Sequence, residues 1–292
     1  MSIAMDADCI QCILRRNVEL VRELGTEEQT TAFVRALMAL ILKTPADAAS
    51  PSLGPGISDL LRDMYGIPLD RFREEKAQSN RFVLERLERI RERAEAMENP
   101  ILAGLKFAVL GNYLDFSALQ GQVDFGKLEE MLDSALEMEL DGSVCRDFLG
   151  ELERGRTLLY LTDNAGEIGF DRILAEEIHR AYPHLNITFC VRGEVIVNDA
   201  TREDAKEVGI PFPVIDNGNR VGGTVLELMS GESRQALENA DVILAKGMGN
   251  AETMLGCGYN VYYAFLIKCP RFVERFHKPM LTPMFLRERR DS

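Results

Sequence analysis

The stretch TLLYLTDNAGEIGFD, residues 157–171, indicates how the chain folds. Its first five residues form an apolar run of strand length, the glycine at 166 allows a sharp backbone turn, and a helix is predicted from 167 to 181. In an open α/β sheet, ligands bind outside the carboxyl ends of the strands. Asp163 and Asn164, which closely follow the predicted strand, therefore stand where a site is expected.

The rest of the C-terminal half repeats this pattern of short apolar runs and helical segments. We predict strands at 157–161, 187–191, 214–215, 242–245 and 261–266. Helices are predicted at 167–181, 201–208, 224–239 and 251–257. Such alternation is typical of βαβ units, so we predict an α/β fold with a mostly parallel, Rossmann-like sheet flanked by helices.

The N-terminal half has apolar residues at three- and four-residue spacing and is predicted to be helical. One predicted helix, 81–97, carries an apolar stripe formed by Leu84, Leu87, Ile90, Ala94 and Met97. The stretch 44–56, rich in proline and glycine, is predicted to connect two helices. We therefore divide the chain into a helical N-terminal subdomain, 1–150, and an α/β domain, 151–292.

The charge of the chain limits its partners. Among 292 residues, 47 are acidic and 34 are basic, and the formal net charge of -13 repels phosphate backbones and anionic lipid surfaces. We expect no nucleic acid and no membrane partner, and a cytoplasmic location is the default expectation. A small anionic substrate would need a local reversal of this field by a metal ion, a lysine or helix N-termini.

Cysteine and histidine usage favours oxygen ligands for any catalytic metal. The six cysteines are spread through a long chain, which argues against a disulfide framework. The three histidines lack a zinc-type spacing. Cys9 and Cys12 form a CxxC, for which plain packing, metal binding and redox exchange all stay open.

Carboxylate and amide side chains follow the first two predicted strands. Asp163 and Asn164 can offer two oxygens to one hard cation and Asp199 a third, which leaves the other positions of a Mg²⁺-like octahedron for water and a phosphate oxygen. Alternatively, Asp163 or Asn164 caps the following helix. Asn198 is an alternative to Asp199 as the third ligand.

A lysine and two glycines follow the fourth predicted strand in KGMGN, residues 246–250. A cation and a flexible loop near a helix N-terminus suit a phosphate group. An isolated KGxGN is also typical of a tight turn with a surface lysine. The chain lacks the GxxxxGK[ST] pattern of P-loop nucleotide hydrolases.

Five motifs, read together, resemble one family. They are CIQC at 9–12, GNYLDF at 111–116, DNAGEIGFD at 163–171, NDAT at 198–201 with Asp204, and KGMGNAE at 246–252. In this order and spacing, the chain resembles the damage-control metal-dependent phosphatases, formerly a domain of unknown function, and in particular a short prokaryotic branch with an N-terminal CxxC. Ala251 departs from the family pattern, where a bulkier residue is expected.

The resemblance implies a phosphatase that hydrolyses small phosphorylated metabolites, either sugar phosphates or damaged cofactor-related phosphates. It implies a divalent cation, such as magnesium, manganese, cobalt or nickel, held at Asp163, Asn164 and Asp199. Whether water or Asp163 attacks phosphorus is left open by the sequence.

The resemblance also assigns the substrate contacts. It implies that Lys246 and Asn250 hold the phosphoryl group and that Asn112 and Asp115 approach from the helical side. The predicted catalytic residues are Asp163, Lys246 and Glu167.

Two other functions are alternatives at this point. A strand, a glycine turn and an acidic helix start can also line the nucleoside pocket of an S-adenosylmethionine-dependent carboxyl methyltransferase. The same loops could also bind a metal or a phospho-ligand without turning it over. The missing GxGxG after the first strand and the lysine loop favour the phosphatase.

Overall fold

The computed structural model of the chain describes residues 3–116 and 123–289. Its strands are β1 Thr157–Leu161, β2 Asn186–Val191, β3 Val214–Asp216, β4 Val242–Lys246, β5 Val261–Leu266 and β6 Pro283–Glu288. They form one sheet in the order β3-β2-β1-β4-β5-β6, in which β1 to β5 are parallel and β6 runs antiparallel to β5. The predicted α/β fold with a mostly parallel sheet is confirmed.

Helices precede the sheet and connect its strands. Before β1 lie α1 Ala7–Arg22, α2 Glu27–Lys43, α3 Gly54–Tyr65, α4 Arg73–Leu84, α5 Leu87–Glu95, α6 Pro100–Gly111, α7 Phe125–Asp133 and α8 Gly142–Arg154. After it lie α9 Glu167–Ala181, α10 Arg202–Glu207, α11 Gly231–Glu238, α12 Gly247–Met254 and α13 Pro270–Phe276. None of the helices in the described part of the chain is long and apolar enough to cross a membrane.

The strand order creates a crevice between β1 and β4. From β1 the chain proceeds outward to β2 and β3, and it then returns to β4 on the other side of β1. At such a reversal the helices that follow the two central strands lie on opposite faces of the sheet, so their N-termini leave an opening above the carboxyl ends of the strands. Residues that follow β1 and β4 face this opening.

Hydrophobic side chains cover both faces of the sheet. On one face, alternate residues such as Leu158 and Tyr160 of β1 pack with buried residues of α5, α6, α8 and α9. On the other face, Leu159 and Leu161 of β1 share a cluster with residues of α12 and α13. Burial of both faces explains why the central strands read as continuous apolar runs.

The N-terminal helices do not all pack alike. Helices α1, α2 and α3 meet in a small separate cluster around Phe33 and Leu37. Helices α5, α6 and α8 instead contribute to the cluster that covers the sheet. The division into domains at residue 150 stays a prediction.

The helix predicted from 81 to 97 is interrupted. Helix α4 ends at Leu84 and α5 begins at Leu87, because the Arg86 amide bonds to the carbonyl of Val83. In a continuous helix the Arg86 amide would donate to the carbonyl of Phe82. Here the Arg86 side chain donates to that carbonyl instead, at 2.9 Å. Leu84 and Met97, at the two ends of the predicted stripe, are consequently exposed.

Three other boundaries differ from the prediction. Part of 44–56 is helical, because a short 3₁₀ turn at Ser50–Leu53 leads directly into α3. The segment predicted as one helix at 224–239 is a 3₁₀ turn, Leu226–Leu228, followed by α11. Helix α12 begins at Gly247 rather than at 251, which brings its N-terminus to the end of β4.

Candidate active site

Asp163 lies at the carboxyl end of β1 and is 7% exposed. Its Oδ2 accepts hydrogen bonds from the side-chain amides of Asn112, at 2.9 Å, and Asn164, at 2.8 Å. A Cβ at position 247 would lie 2.0 Å from that oxygen, and Gly247 has a φ of +80°. Glycine is therefore required beside Asp163, both for space and for backbone conformation.

Asn164 and Asp199 lie side by side. They pair through an isolated antiparallel bridge, and the Ala200 amide donates to the Asp163 carbonyl at 2.7 Å. The Oδ1 atom of Asn164 accepts a hydrogen bond from Asn198 Nδ2 at 2.9 Å. The structure thus brings the three predicted metal ligands, Asp163, Asn164 and Asp199, onto two adjacent backbone segments.

The two aspartates of this group have a high affinity for protons. Burial raises the pKa of Asp163 well above its ordinary value, and the charges of Glu167 and Asp199 raise it further. Burial also raises the pKa of Asp199, although Arg192 opposes this effect. Buried carboxyl groups of this kind need positive charge beside them to stay ionised.

Arg192, the residue after β2, lies between the two carboxylates. Its Nε donates to Asp199 Oδ2 at 2.7 Å, and one Nη lies 3.8 Å from Asp163 Oδ1. Both Nη atoms lie 3.4 Å from Asn250 Oδ1. The side chain is 2% exposed, so its positive charge is concentrated inside the site.

Lys246 occupies a different place from the one that the sequence predicted. Its Nζ donates to the carbonyl of Ala108 at 2.8 Å, to Glu167 at 2.7 Å and to Asp171 at 2.8 Å. An ammonium has three N–H donors, so none is left for a phosphoryl group. Burial would lower the pKa of Lys246, but Asp171 and Glu167 raise it to about 12, so the ammonium stays charged beneath the site.

Glu167 and Asn250 also use their polar atoms on the protein. Glu167 is fully buried and accepts from the side chains of Asn164, Asn112 and Lys246. Asn250 donates to the carbonyls of Thr162 and Lys246. Both side chains therefore hold other site residues in place, and their geometry does not support the direct catalytic and phosphate contacts predicted for them.

The helical half reaches the site through Asn112 and Asp115. The Asn112 amide donates to Asp163, and its Oδ1 accepts from the backbone amide of Leu266 at 3.1 Å. Lys268 donates to the Asn112 carbonyl at 2.7 Å and to Asp115 Oδ2 at 2.6 Å. Asn112 is thus a connector between the sheet and the helices, while Asp115 is paired with a buried lysine.

The side chains linked around Asp163 carry excess negative charge. The carboxylates are Asp115, Asp163, Glu167, Asp171 and Asp199. The cations are Arg192, Lys246 and Lys268. If all five carboxylates are ionised, they exceed the three cations by two formal charges, the amount that one divalent cation would neutralise.

The oxygens present suit a hard divalent cation. Asp163, Asn164 and Asp199 offer carboxylate and amide oxygens, and the buried Oδ1 of Asn198 has no hydrogen-bond partner. Within residues 3–116 and 123–289, no group of three His, Cys, Asp or Glu side chains is placed to hold a metal. The predicted ligands Asp163, Asn164 and Asp199 do not form such a group, because only two of them are carboxylates and the third is an asparagine.

Arg192 and Lys268 are the site residues that the sequence analysis missed. Arg192 directly follows β2, and Lys268 is two residues beyond β5. Asp163 was predicted because polar residues just after a parallel strand lie where ligands bind, and the same argument applies to Arg192 and Lys268. Burial of their charges, which makes them part of the site, is visible only in the structure.

The CxxC lies in the first turns of α1, outside this network. Cys9 and Cys12 are partly buried free thiols. Arg271, in the first turn of α13, donates to Cys9 Sγ at 3.2 Å. Burial raises the pKa of the Cys9 thiol. These contacts attach α1 to α13 and leave the choice between packing, metal binding and redox exchange open.

Similar proteins identify the family. The family described as "Damage-control phosphatase ARMT1-like domain" matches residues 5–281. The uncharacterized protein MJ0202 of Methanocaldococcus jannaschii is 30% identical over 289 residues, which cover 94% of this chain and 92% of that protein. The damage-control phosphatase PH1575 of Pyrococcus horikoshii is 35% identical over 178 residues, which cover 60% of this chain and 61% of that protein.

A solved structure extends the similarity to the whole fold. The crystal structure of the PH1575 protein, described as a DUF89 family protein, superposes with a TM-score of 0.82 at 27% sequence identity. The superposition covers 97% of this chain and 99% of that one. The chain belongs to the damage-control phosphatase ARMT1-like family.

Proposed function

We propose that this protein is a divalent-metal-dependent phosphatase, a phosphomonoester hydrolase that acts on small phosphorylated metabolites. The observation that carries the proposal is the buried network around Asp163, in which three adjacent oxygen-bearing side chains lie at the switch point of the sheet among five carboxyl groups and three cationic side chains. Two relatives that are named damage-control phosphatases support the same conclusion.

Asp163, Asn164 and Asp199 would hold the cation. When bound, the cation would neutralise negative charge on a phosphoryl oxygen and make phosphorus more electrophilic. Glu167 fixes the orientation of the Asn164 amide, because it accepts from Asn164 Nδ2 at 2.8 Å and leaves the amide oxygen on the opposite side. Arg192 adds fixed positive charge beside both aspartates, where charge develops on the equatorial oxygens during phosphoryl transfer.

The substrate is proposed to be a small monoester, of the sugar-phosphate or damaged cofactor-related kind. The proposed metal ligands Asp163 and Asp199 are each 7% exposed, so a bulky polymer would not reach them. The net charge of -13 also opposes extended polyanions. A small substrate with one phosphoryl group and uncharged hydroxyls meets both conditions.

Metal removal tests the proposal. The full-length protein, stripped with a chelator, is assayed for phosphate release from p-nitrophenyl phosphate and a panel of sugar phosphates. Activity is expected to be at background without metal and to return with at least one of Mg²⁺, Mn²⁺, Co²⁺ and Ni²⁺ added singly. No phosphate release with any of these metals and substrates would reject the phosphatase proposal.

Binding measurements on the same protein distinguish the phosphatase from the two alternative functions. Saturable binding of S-adenosylmethionine without phosphate release would favour a methyltransferase. Binding of metal and inorganic phosphate without turnover of any ester would favour a non-catalytic binding protein.

A further inference from the structure

Helix α4, in the N-terminal half of the chain, packs directly against the turn that follows β1. A Cβ at position 166 would lie 2.6 Å from the Cβ of Ser79 and 2.9 Å from the carbonyl carbon of the same residue. Gly166 also has a φ of +75°. Glycine is therefore required at this position, and the turn that carries Asp163 and Asn164 rests on the backbone of α4.

Asn80, the next residue of α4, is fully buried and joins two separate segments of the site. Its Oδ1 accepts from the backbone amide of Gly166 at 2.6 Å. Its Nδ2 donates to Asp204 Oδ1 at 3.1 Å and to Glu207 Oε2 at 2.6 Å. The two ends of one side-chain amide thus connect the turn after β1 to helix α10.

Asp204 extends this connection to the segment that carries Asp199. Its Oδ2 accepts from the backbone amide and from the hydroxyl of Thr201, both at 2.8 Å. Thr201 is two residues beyond Asp199, just as Gly166 is two residues beyond Asn164. Helix α4 therefore holds both segments of proposed metal ligands, each at a point two residues after a ligand.

An ion pair keeps Asp204 against α4. Lys76, one turn before Asn80, places its Nζ 2.7 Å from Asp204 Oδ2. The Lys76 and Asp204 side chains are 11% and 7% exposed, and breaking a buried pair of charges is costly. Asn80 itself is uncharged, so an apolar replacement changes the hydrogen bonds and leaves the charge of the site unaltered.

We infer that Asn80 is a positioning residue for the proposed metal site, which it serves by holding the two ligand-bearing segments at the spacing that one cation needs. The inference rests on the proposed function, since it concerns the metal of that site. The two segments pair with each other at Asn164 and Asp199 through an isolated bridge. A single bridge restrains their relative angle weakly, and the bonds of Asn80 to both sides limit that freedom. Metal binding by the α/β half then depends on a residue of the helical half.

Replacing Asn80 with Leu tests this role, because leucine has a similar size and neither a donor nor an acceptor. Mn²⁺ binding by the folded variant is expected to weaken about tenfold or more, the usual effect of losing a residue that orients metal ligands. A residue that only stabilised the fold would lower the unfolding temperature and leave the Mn²⁺ affinity of the folded protein unchanged.

The experiment is calorimetric titration of metal-free, full-length protein with Mn²⁺, without substrate and well below the unfolding temperature. Circular dichroism establishes that each variant is folded. Glu207→Ala is the matched control, because it removes another partner of Asn80 at an exposed position of α10. Its Mn²⁺ affinity is expected to stay close to that of wild type. If Asn80→Leu does not fold, Asn80→Ser replaces it, and the same weakening is expected because its side chain is too short for the bond to Gly166.

Two outcomes overturn the inference: Mn²⁺ that binds the Asn80 variant as tightly as wild type, or Mn²⁺ that does not bind wild type. Phosphate release from monoesters is measured in parallel. Release by wild type together with an unchanged Mn²⁺ affinity of the Asn80 variant would reject the inference and keep the proposed function. Weakened Mn²⁺ binding by the variant without hydrolysis of any ester by wild type would keep the inference and reject the function.

Discussion

Replacing Asp163 with Asn is expected to lower metal-dependent phosphate release by at least about a hundredfold and to leave the fold intact. Even residues that only support a metal ligand typically cost about 10- to 100-fold when they are mutated, and Asp163 is proposed to be a ligand itself. The amide oxygen can still accept from Asn112 and Asn164. The substitution also removes a buried carboxyl group whose charged form is disfavoured by burial.

Steady-state phosphate release at saturating Mn²⁺ measures the effect, and thermal unfolding measured by circular dichroism reports on the fold. Asp216→Asn is a matched control, because Asp216 also ends a parallel strand, β3, but pairs with the exposed Arg202. Turnover of Asp163→Asn close to that of Asp216→Asn would remove Asp163 from the proposed metal site.

Replacing Lys246 with Met is expected to destabilise the protein by about 3–5 kcal/mol, the usual cost of removing one partner from a buried ion pair. Glu167 and Asp171 would be left buried without their common counter-ion. The deficit should shrink below about pH 7, since burial raises the pKa of Asp171 to about 7 even with Lys246 opposing it. A protonated Asp171 no longer needs the ammonium.

Denaturant unfolding of wild type and Lys246→Met at pH 8 and pH 6 tests this prediction. Lys278→Met is the matched lysine control, and its free energy of unfolding should stay within about 0.5 kcal/mol of wild type. If Lys246 contacts phosphate, as the sequence predicted, Lys246→Met should keep wild-type stability and lose only phosphate affinity. That result would contradict the structural role described here.

Most of the sheet could be predicted because its strands are buried on both faces. Runs such as 157–161 and 242–245 are apolar throughout and therefore stand out from the helices around them. The edge strand β6 was not predicted, since its sequence PMFLRE begins with proline and ends with charged residues. Edge strands carry such residues because only one side pairs with the sheet.

The site was predicted less completely than the fold. The position of Asp163, Asn164 and Asp199 beside one another follows from the topology of parallel strands. The roles of Lys246 and Asn250 depend instead on which of their donors are already used within the protein, and the spacing of residues in the sequence does not reveal this. Only side-chain contacts show that Lys246 lies beneath the site and that Lys268 is joined to it through Asn112 and Asp115.

The position of the metal tests the central claim most directly. A crystal of the full-length protein soaked in Mn²⁺, measured at the manganese absorption edge, gives an anomalous difference map that locates the ion. We predict one strong peak within about 2.0–2.4 Å of oxygens of Asp163, Asn164 and Asp199. A peak at another cluster, such as the CxxC of α1, with none beside Asp163, would contradict the proposed active site.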